Sequence, residues 1–326
     1  MRTYIIRRIL LTIPTLLLVT MLVFSSIHFI PGDILDVLMS SSVSQASGAE
    51  SSTGGVTREW LEKKLGLDVP IHIQYGRWLG NILLHGDMGT TLTTDEPVWE
   101  TFVRPRIPVS LELGLMALLI LLLLAIPIGI YSAIRQNTLG DYVGRGLSIL
   151  MLSIPEFWIA TIVLVFPSLY FGWSPPIKYV SLMENPRENL MMVLIPAAIL
   201  GTVHSGPLMR LVRTQMLEVL RQDYVRTAWS KGLKERVVIL RHVLKNAMIP
   251  IITLIGLQIP LLIGGAVILE QMFMLPGLGR LIVQSLLGRD YAIVAGAGLV
   301  VATLVVFINL AVDLAYGFLD PRIRYG

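Results

Sequence analysis

Five ionisable side chains, Glu112, Glu156, His204, Glu270 and Asp313, stand in or beside long apolar stretches of this chain. A charge at such depth is costly unless it faces a cavity or a partner, so each is a candidate either for a proton or ion path or for a paired structural role. Glu112 and Glu270 fall close to the outer ends of their stretches, and Asp313 shortly precedes Asp320-Pro321-Arg322, which suits snorkelling or pairing at the cytoplasmic side. Glu156 and His204 are left as pathway candidates, joined by the uncharged Gln258, Gly264 and Gly265 of the fifth stretch. The apparatus of an enzyme does not accompany them: there is no G-x-x-x-x-G-K-[ST] phosphate loop, no H-E-x-x-H helix and no G-x-S-x-G nucleophile turn. With no Cys, thiolate chemistry, disulfides and Cys-ligated metal are excluded, and the five His are scattered without metal-ligand spacing. No catalytic residue, no metal site and no cofactor of this chain's own are expected.

The elements that must position these residues are membrane spans. Of 326 residues, 54% are hydrophobic and 15% charged, well below the charged share of about one quarter in soluble domains. Six stretches are long enough to cross about 30 Å of hydrocarbon as helices: 9–30, 109–133, 147–171, 190–209, 248–273 and 292–318. The fold class that follows is an all-α polytopic membrane protein with six transmembrane helices. The first stretch is longer than the apolar core of a signal peptide and lacks an A-x-A-like end, so it remains as helix one. With the N-terminus inside, sixteen of the 26 Lys and Arg fall on the cytoplasmic side, nine of them between Arg210 and Lys245. Both termini are therefore expected in the cytoplasm. The net charge of +4 reflects this topology rather than nucleic-acid binding, because the basic residues flank spans.

Three parts follow: an N-terminal span at 1–30, an extracytoplasmic segment at 31–108, and a core of five spans at 109–326. In the outer segment, residues 40–55 are rich in Ser, Gly and Ala and read as a mobile linker. A short helix is expected over 57–65. A longer one follows with Ile71, Tyr75, Trp78, Leu79, Ile82 and Leu83 on one face, closed by a turn at Gly86-Asp87-Met88-Gly89. The result is a small extracytoplasmic cap on the spans, with Trp60 and Trp78 alternatively read as interfacial anchors. Pro127, Pro155, Pro167, Pro196, Pro207 and Pro260 lie in the spans, and Gly256 joins Gly264 and Gly265 in the fifth. These suit either close packing or a moving path.

Between the fourth and fifth spans runs QDYVRTAWSKGLKERVVILRHVLKNAMIP, from Gln222 to Pro250, within a cytoplasmic loop at 210–247. Val225, Ala228 and Trp229, then Leu233, Val237, Leu240 and Leu244, keep helical spacing on either side of Gly232, which reads as the turn of a helical hairpin because a residue without Cβ enters the left-handed region cheaply. Such a hairpin is too small to form its own core. It is either a basic loop held near anionic membrane lipid or an element that docks in a groove of a partner protein.

The order Asp223-Tyr224-Val225-Arg226-Thr227-Ala228, Lys231-Gly232-Leu233, Arg241-His242, Asn246-Ala247 and Pro250 resembles the cytoplasmic signature of ABC-importer permeases of the dipeptide, oligopeptide and nickel group. Gly264-Gly265 with Glu270, Pro276-Gly277-Leu278-Gly279-Arg280, Arg289-Asp290-Tyr291 and the ending Leu319-Asp320-Pro321-Arg322 are similar to the same group, as are Arg7-Arg8, Pro31-Gly32-Asp33 and Leu65-Gly66-Leu67-Asp68. Where the broader importer signature has Glu-Ala-Ala, this chain has Arg226-Thr227-Ala228, as the peptide group does. The resemblance implies a type I ABC importer permease in a prokaryotic inner membrane. It would pair with a second homologous permease, with two cytoplasmic ATPase subunits or domains that bind ATP and Mg, and with an extracytoplasmic solute-binding protein. The ATPase-coupling residues would be Asp223, Tyr224, Arg226, Thr227, Ala228, Trp229, Lys231, Gly232 and Leu233. Di- and oligopeptides are the implied cargo, with nickel chelates, glutathione or another small solute as alternatives inside the group. A membrane scaffold or receptor without solute flux is the alternative from another class.

Overall fold

The computed structural model describes residues 2–29, 69–91, 94–176 and 178–319. The linker at 40–55, the short helix at 57–65 with Trp60, and the motifs at 31–33, 65–68 and 320–325 lie outside the described residues. Among the described residues, ten α-helices of eight residues or more order the chain: α1 (Arg2–Phe29), α2 (Ile71–His85), α3 (Ile107–Ile134), α4 (Leu139–Ser153), α5 (Glu156–Phe171), α6 (Pro186–Leu220), α7 (Asp223–Ser230), α8 (Leu244–Met272), α9 (Leu278–Leu287) and α10 (Tyr291–Leu319). Among the described residues, five helices are long and apolar enough to cross a membrane, and a sixth crossing arises if α4 and α5 are taken together.

The third span departs from the sequence expectation. A single helix over 147–171 was expected, whereas α4 begins at Leu139 and the chain turns by 91° between α4 and α5. The cause is local. Pro155 has no N–H to continue the ladder, and its ring drives the preceding Ile154 into the extended region (φ −101, ψ 121). Pro155 itself is extended at ψ 140 and opens α5, where the N–H of Trp158 donates to its carbonyl at 3.1 Å. The other prolines named above sit inside continuous helices, Pro127 in α3, Pro167 in α5, Pro196 and Pro207 in α6 and Pro260 in α8.

The described residues divide into two compact units. The first comprises Met1–Thr12, Ile107–Arg280 and Val305–Gly326. Its centre is the crossing of α3 and α6. On α3 a stripe at four-residue intervals, Val109, Leu113, Ala117, Leu121, Ala125 and Gly129, is buried, while Leu115, Leu119 and Leu123 on the opposite side are exposed to what would be lipid. Small residues let the backbones meet: a Cβ at Gly129 would lie 2.7 Å from Val212 Cβ, and one at Gly201 would run into the carbonyl of Ala117. The ends of α1 and α10 are tied by an ion pair of Arg8 with Asp313 at 2.9 Å and by Tyr4 Oη donating to the Asp313 carbonyl at 3.1 Å. Asp313 is thus paired, as its position in the sequence suggested.

The second unit comprises Ile13–Arg106 and Leu281–Leu304. Here α2 rests on α1: Phe24 stacks edge-on against Tyr75 and tilts against Trp78, each at 5.6 Å, and the hydroxyls of Thr20 and Tyr75 share a hydrogen bond of 2.8 Å. The expected apolar face of α2 is narrower than its spacing suggested. Tyr75, Trp78, Leu79 and Ile82 are partly covered, but Ile71 and Leu83 are exposed, because the aromatic contacts fix the middle of the helix and leave its ends uncovered. The turn at 86–89 is present, with Gly86 (φ 66) and Gly89 (φ 87) both left-handed and Asp87 Oδ1 accepting from the Gly89 N–H.

Candidate functional site

The hairpin after α6 is built by backbone geometry more than by side-chain bonds. Helix α6 runs to Leu220, Gln222 is extended at ψ 147, and α7 begins at once with Asp223, an acid placed where the helix dipole favours it. At the other end, the N–H of Lys231 donates to the Thr227 carbonyl and that of Gly232 to Trp229 at 2.9 Å, while Gly232 takes φ 77. Lys234 then opens a helical turn at Glu235–Val237 that passes through a π-helical segment, Val238–Val243, directly into α8. The expected turn at Gly232 is therefore observed, and both arms of the hairpin are joined to spans with almost no slack.

Its two faces differ from the sequence expectation in one respect. Ala228 and Trp229 were both expected among the residues that couple to an ATPase, but Val225 and Ala228 are buried with Val238 and Val243, whereas Trp229 is 41% exposed. At about 100° per residue, Ala228 and Trp229 lie on opposite sides of Val225, so the small residue turns inward and the indole stays at the rim. The outward apolar face consists of Tyr224, Trp229, Leu233, Val237 and Leu240. Tyr224 is held by Asn246, whose Nδ2 donates to its hydroxyl at 2.8 Å. Arg226 pairs with Asp223 only at 3.4 Å and at high exposure, an interaction worth little in water. Thr227 spends its hydroxyl on the Asp223 carbonyl, and Lys231 contributes its backbone N–H to the turn.

A second cluster lies at the break between α4 and α5. Glu156, the first residue of α5, places Oε2 3.5 Å from His204 Nε2 on α6, with both side chains largely covered. Gln258 on α8 donates from Nε2 to the His204 carbonyl at 3.2 Å. Gly265, about two turns further along α8, faces the Glu156 carboxylate: a Cβ there would come within 3.1 Å of both its oxygens and 2.9 Å of Leu200 Cδ1. A side chain there would require Leu200 or the Glu156 carboxylate to shift. The structure thus gathers Glu156, His204, Gln258 and Gly265 from three spans, while Gly264 faces open space with nothing within 4 Å. An ionisable pair beside a helix broken within a span is an arrangement that can bind or pass a polar group at membrane depth.

Sequence reasoning missed a third polar centre. Asp141, fully buried in the first turn of α4, receives both Nε and Nη2 of Arg213 at 2.7 and 2.8 Å, the Ser132 hydroxyl at 2.5 Å and the backbone N–H of Asn137 at 3.0 Å. Four donors on one carboxylate offset the cost of burying the charge. The available signal was Arg213 lying four residues after the buried Met209 and three before the buried Met216 rather than on the polar side of α6. At the opposite end of the spans, Glu270 is also buried. It accepts from Ser110 Oγ at 2.6 Å and from the Arg280 N–H at 3.0 Å, and Gly277 packs so closely that a Cβ would strike the carboxyl group. The expectation that Glu270 lies near a helix end holds, but its role is to organise the Pro276–Arg280 loop. Glu112 accepts from Tyr179 Oη at 3.0 Å and from Asn189 Nδ2 at 3.3 Å. Burial and the nearby carboxylate push the Tyr179 hydroxyl up to about 12, so it remains a donor throughout the physiological range.

Known proteins share this plan. Residues 125–325 match the family described as binding-protein-dependent transport system inner membrane component, and residues 1–114 match its N-terminal membrane component family. The chain is 36% identical over 348 residues to the dipeptide transport system permease protein DppB of Escherichia coli K12, covering 100% of this chain and 99% of that protein. It is 38% identical over 327 residues to the oligopeptide transport system permease protein AppB of Bacillus subtilis 168, covering 100% of each. The inward-facing MetNI methionine ABC transporter superposes on 67% of this chain and 96% of that chain with a TM-score of 0.53, at 15% identity, a likeness of fold. Matched across both its parts and aligned end to end with such relatives, this chain of membrane-spanning helices belongs to the binding-protein-dependent transport system inner membrane components, the permeases of ABC importers.

Proposed function

We propose that the chain is the permease subunit of an ATP-driven importer of di- and oligopeptides. It pairs with a second homologous permease, with two cytoplasmic ATPase subunits or domains that bind ATP and Mg, and with an extracytoplasmic solute-binding protein. Both termini and the hairpin lie in the cytoplasm. The peptide cargo follows from the names of the full-length relatives; the coupling role follows from one observation, the exposed apolar face of a helical hairpin set between α6 and α8.

A short amphipathic helix in a partner's groove is a common recognition mode, and Tyr224, Trp229 and Leu233 supply its apolar anchors. Because α6 ends two residues before α7 and the segment 235–243 passes without a loop into α8, displacement of the hairpin reaches both spans. Those spans carry His204, Gln258 and Gly265, three of the four members of the mid-span cluster. Movement of the ATPases would therefore remake the surroundings of Glu156, and ATP would act on transport only through contacts that differ between the inward-open and outward-open states. The test is uptake of labelled di- and tripeptides into proteoliposomes holding the whole assembly, with binding protein outside and ATP inside. ATP-dependent accumulation is expected. Hydrolysis without peptide flux would move the cargo elsewhere, and failure to recruit any ATPase would overturn the coupling role.

A further inference from the structure

Four acids on the spans are supplied with donors by the chain itself. Asp141 receives Arg213, Ser132 and the Asn137 N–H, Glu270 receives Ser110 and the Arg280 N–H, Glu112 receives Tyr179 and Asn189, and Asp313 pairs with Arg8. Glu156 is treated differently: no N–H or O–H of the described residues completes a hydrogen bond to its carboxylate, and its ion-pair partner His204 stands with Nε2 at 3.5 Å, beyond the about 2.7–3.2 Å of an N–H···O bond.

The place makes this costly. His204 is eighteen residues into α6 and sixteen before its end. At about 1.5 Å per residue the helix is about 52 Å long, so wherever about 30 Å of hydrocarbon falls along it, His204, about 27 Å from the start, lies inside. Glu156 beside it is therefore a carboxylate at membrane depth that the chain leaves short of donors, with 13% of its side chain exposed. The surface of α8 next to it is bare: Gly265 lies against both carboxylate oxygens, and Gly264 is exposed with nothing within 4 Å of a Cβ. Among the described residues no third His, Cys, Asp or Glu joins the pair to make a metal site. What the cluster offers is acceptors: two carboxylate oxygens and, in the tautomer protonated at Nδ1, His204 Nε2. These match the three N–H donors of an ammonium group.

We propose that Glu156 receives the ammonium group of the cargo during its passage, with His204 as the further acceptor and the bare backbone at Gly264 and Gly265 leaving room for the peptide chain. The assignment rests on the peptide cargo proposed above. The carboxylate that faces His204 in this structure would exchange that partner for the cargo. Because His204 and Gly265 ride on α6 and α8, the two spans joined to the hairpin, its displacement would make and break the contact. The α-ammonium of a peptide and the side chain of a lysine residue share this chemistry.

The absence of cysteine from the chain supplies the test. Gly264→Cys is introduced into the intact importer complex, kept in detergent free of nucleotide and binding protein, and modification of the introduced thiol by N-ethylmaleimide is timed by mass spectrometry. Trialanine is expected to slow the reaction. N-acetyl-trialanine should need an at least about tenfold higher concentration for the same effect, as loss of a charged hydrogen bond implies. N-acetyl-lysine amide separates the two sources: slowing by it as well assigns the site to any ammonium group, and no slowing assigns it to the peptide terminus. Glu156→Gln should erase the preference for the free amine, and Glu156→Asp should recover part of it, which separates charge from folding. Equal slowing by the free and acetylated peptides would overturn the subsite. So would a preference that survives in the Gln variant, a thiol that the reagent never reaches, or slowing by millimolar nickel(II) and not by trialanine. None of these readings needs flux. A preparation that accumulates peptide in proteoliposomes without the amine preference loses the subsite alone, whereas one that hydrolyses ATP and takes up no peptide loses the cargo on which it rests.

Discussion

At Gly232 the backbone holds φ 77, and a Cβ built there would meet nothing within 4 Å. A substitution at this position therefore acts through backbone conformation alone, with no collision to confuse its effect. A β-branched residue resists positive φ by about 1–2 kcal/mol, enough to reopen a turn secured by two hydrogen bonds. Gly232→Val is expected to cut peptide uptake at least about tenfold while ATP hydrolysis by the assembly continues, whereas Gly232→Asn, which tolerates the left-handed region, should keep much of it. Parallel uptake and phosphate-release measurements in proteoliposomes check this, and unchanged uptake by the Val variant would remove the turn from coupling. The left-handed glycine was legible in the sequence because helical spacing stopped and restarted around it. The meeting of Glu156, His204, Gln258 and Gly265 was legible only as membership, since each residue stood out as polar or small in an apolar stretch while nothing in one dimension says which helices touch. Asp141 was hidden for the opposite reason: it sits at a helix start, where an acid needs no explanation.

Helices that turn a small and a large apolar residue in succession sort them by how much surface each must cover. In α7 this sends Ala228 inward and leaves Trp229 at the rim. The distinction separates two variants that sequence alone would treat alike. Ala228→Asp puts a carboxylate into a packed interior and should loosen the hairpin itself, seen as faster tryptic cleavage at Lys231 and Lys234. Trp229→Ser removes an exposed anchor, so the hairpin should resist trypsin as before while affinity for the ATPase falls about tenfold or more, as truncation of an aromatic hot spot does. Equal ATPase affinity for the Ser variant, measured by titrating purified ATPase onto the permease in nanodiscs, would exclude the indole from the docking face. Element boundaries in the spans were legible from apolar length, with the third as the exception. Hydropathy is continuous through 147–171, and the information that breaks it is one proline whose neighbour is extended, whereas Pro127, Pro196, Pro207 and Pro260 leave their helices continuous. The broken span is also the one whose new N-terminus, Glu156, meets His204 of α6.

The parity of the crossings among the described residues follows from one ion pair between α1 and α10. Arg8 and Asp313 form an ion pair near the start of α1 and the end of α10, so these two points lie on one side of the membrane and the crossings between them are even in number. Among the described residues five helices qualify by themselves, an odd count, so with these spans alone the bent pair α4 and α5 contributes one crossing rather than none or two. The loop at 135–138 then shares a side with the hairpin, and the loop at 172–185 lies on the other, in agreement with the placement of nine basic residues between Arg210 and Lys245. A chain without cysteine allows this to be tested with single introduced thiols. In intact cells, a membrane-impermeant maleimide should label Met183→Cys, which is 92% exposed, and should leave Gln136→Cys untouched until the membrane is permeabilised. Labelling of both from outside would show that α4 and α5 do not make a single crossing and would separate the parity argument from the ion pair on which it rests. The reverse pattern would keep the six crossings but invert the molecule, placing the hairpin where no ATP is available and removing the physical basis for coupling.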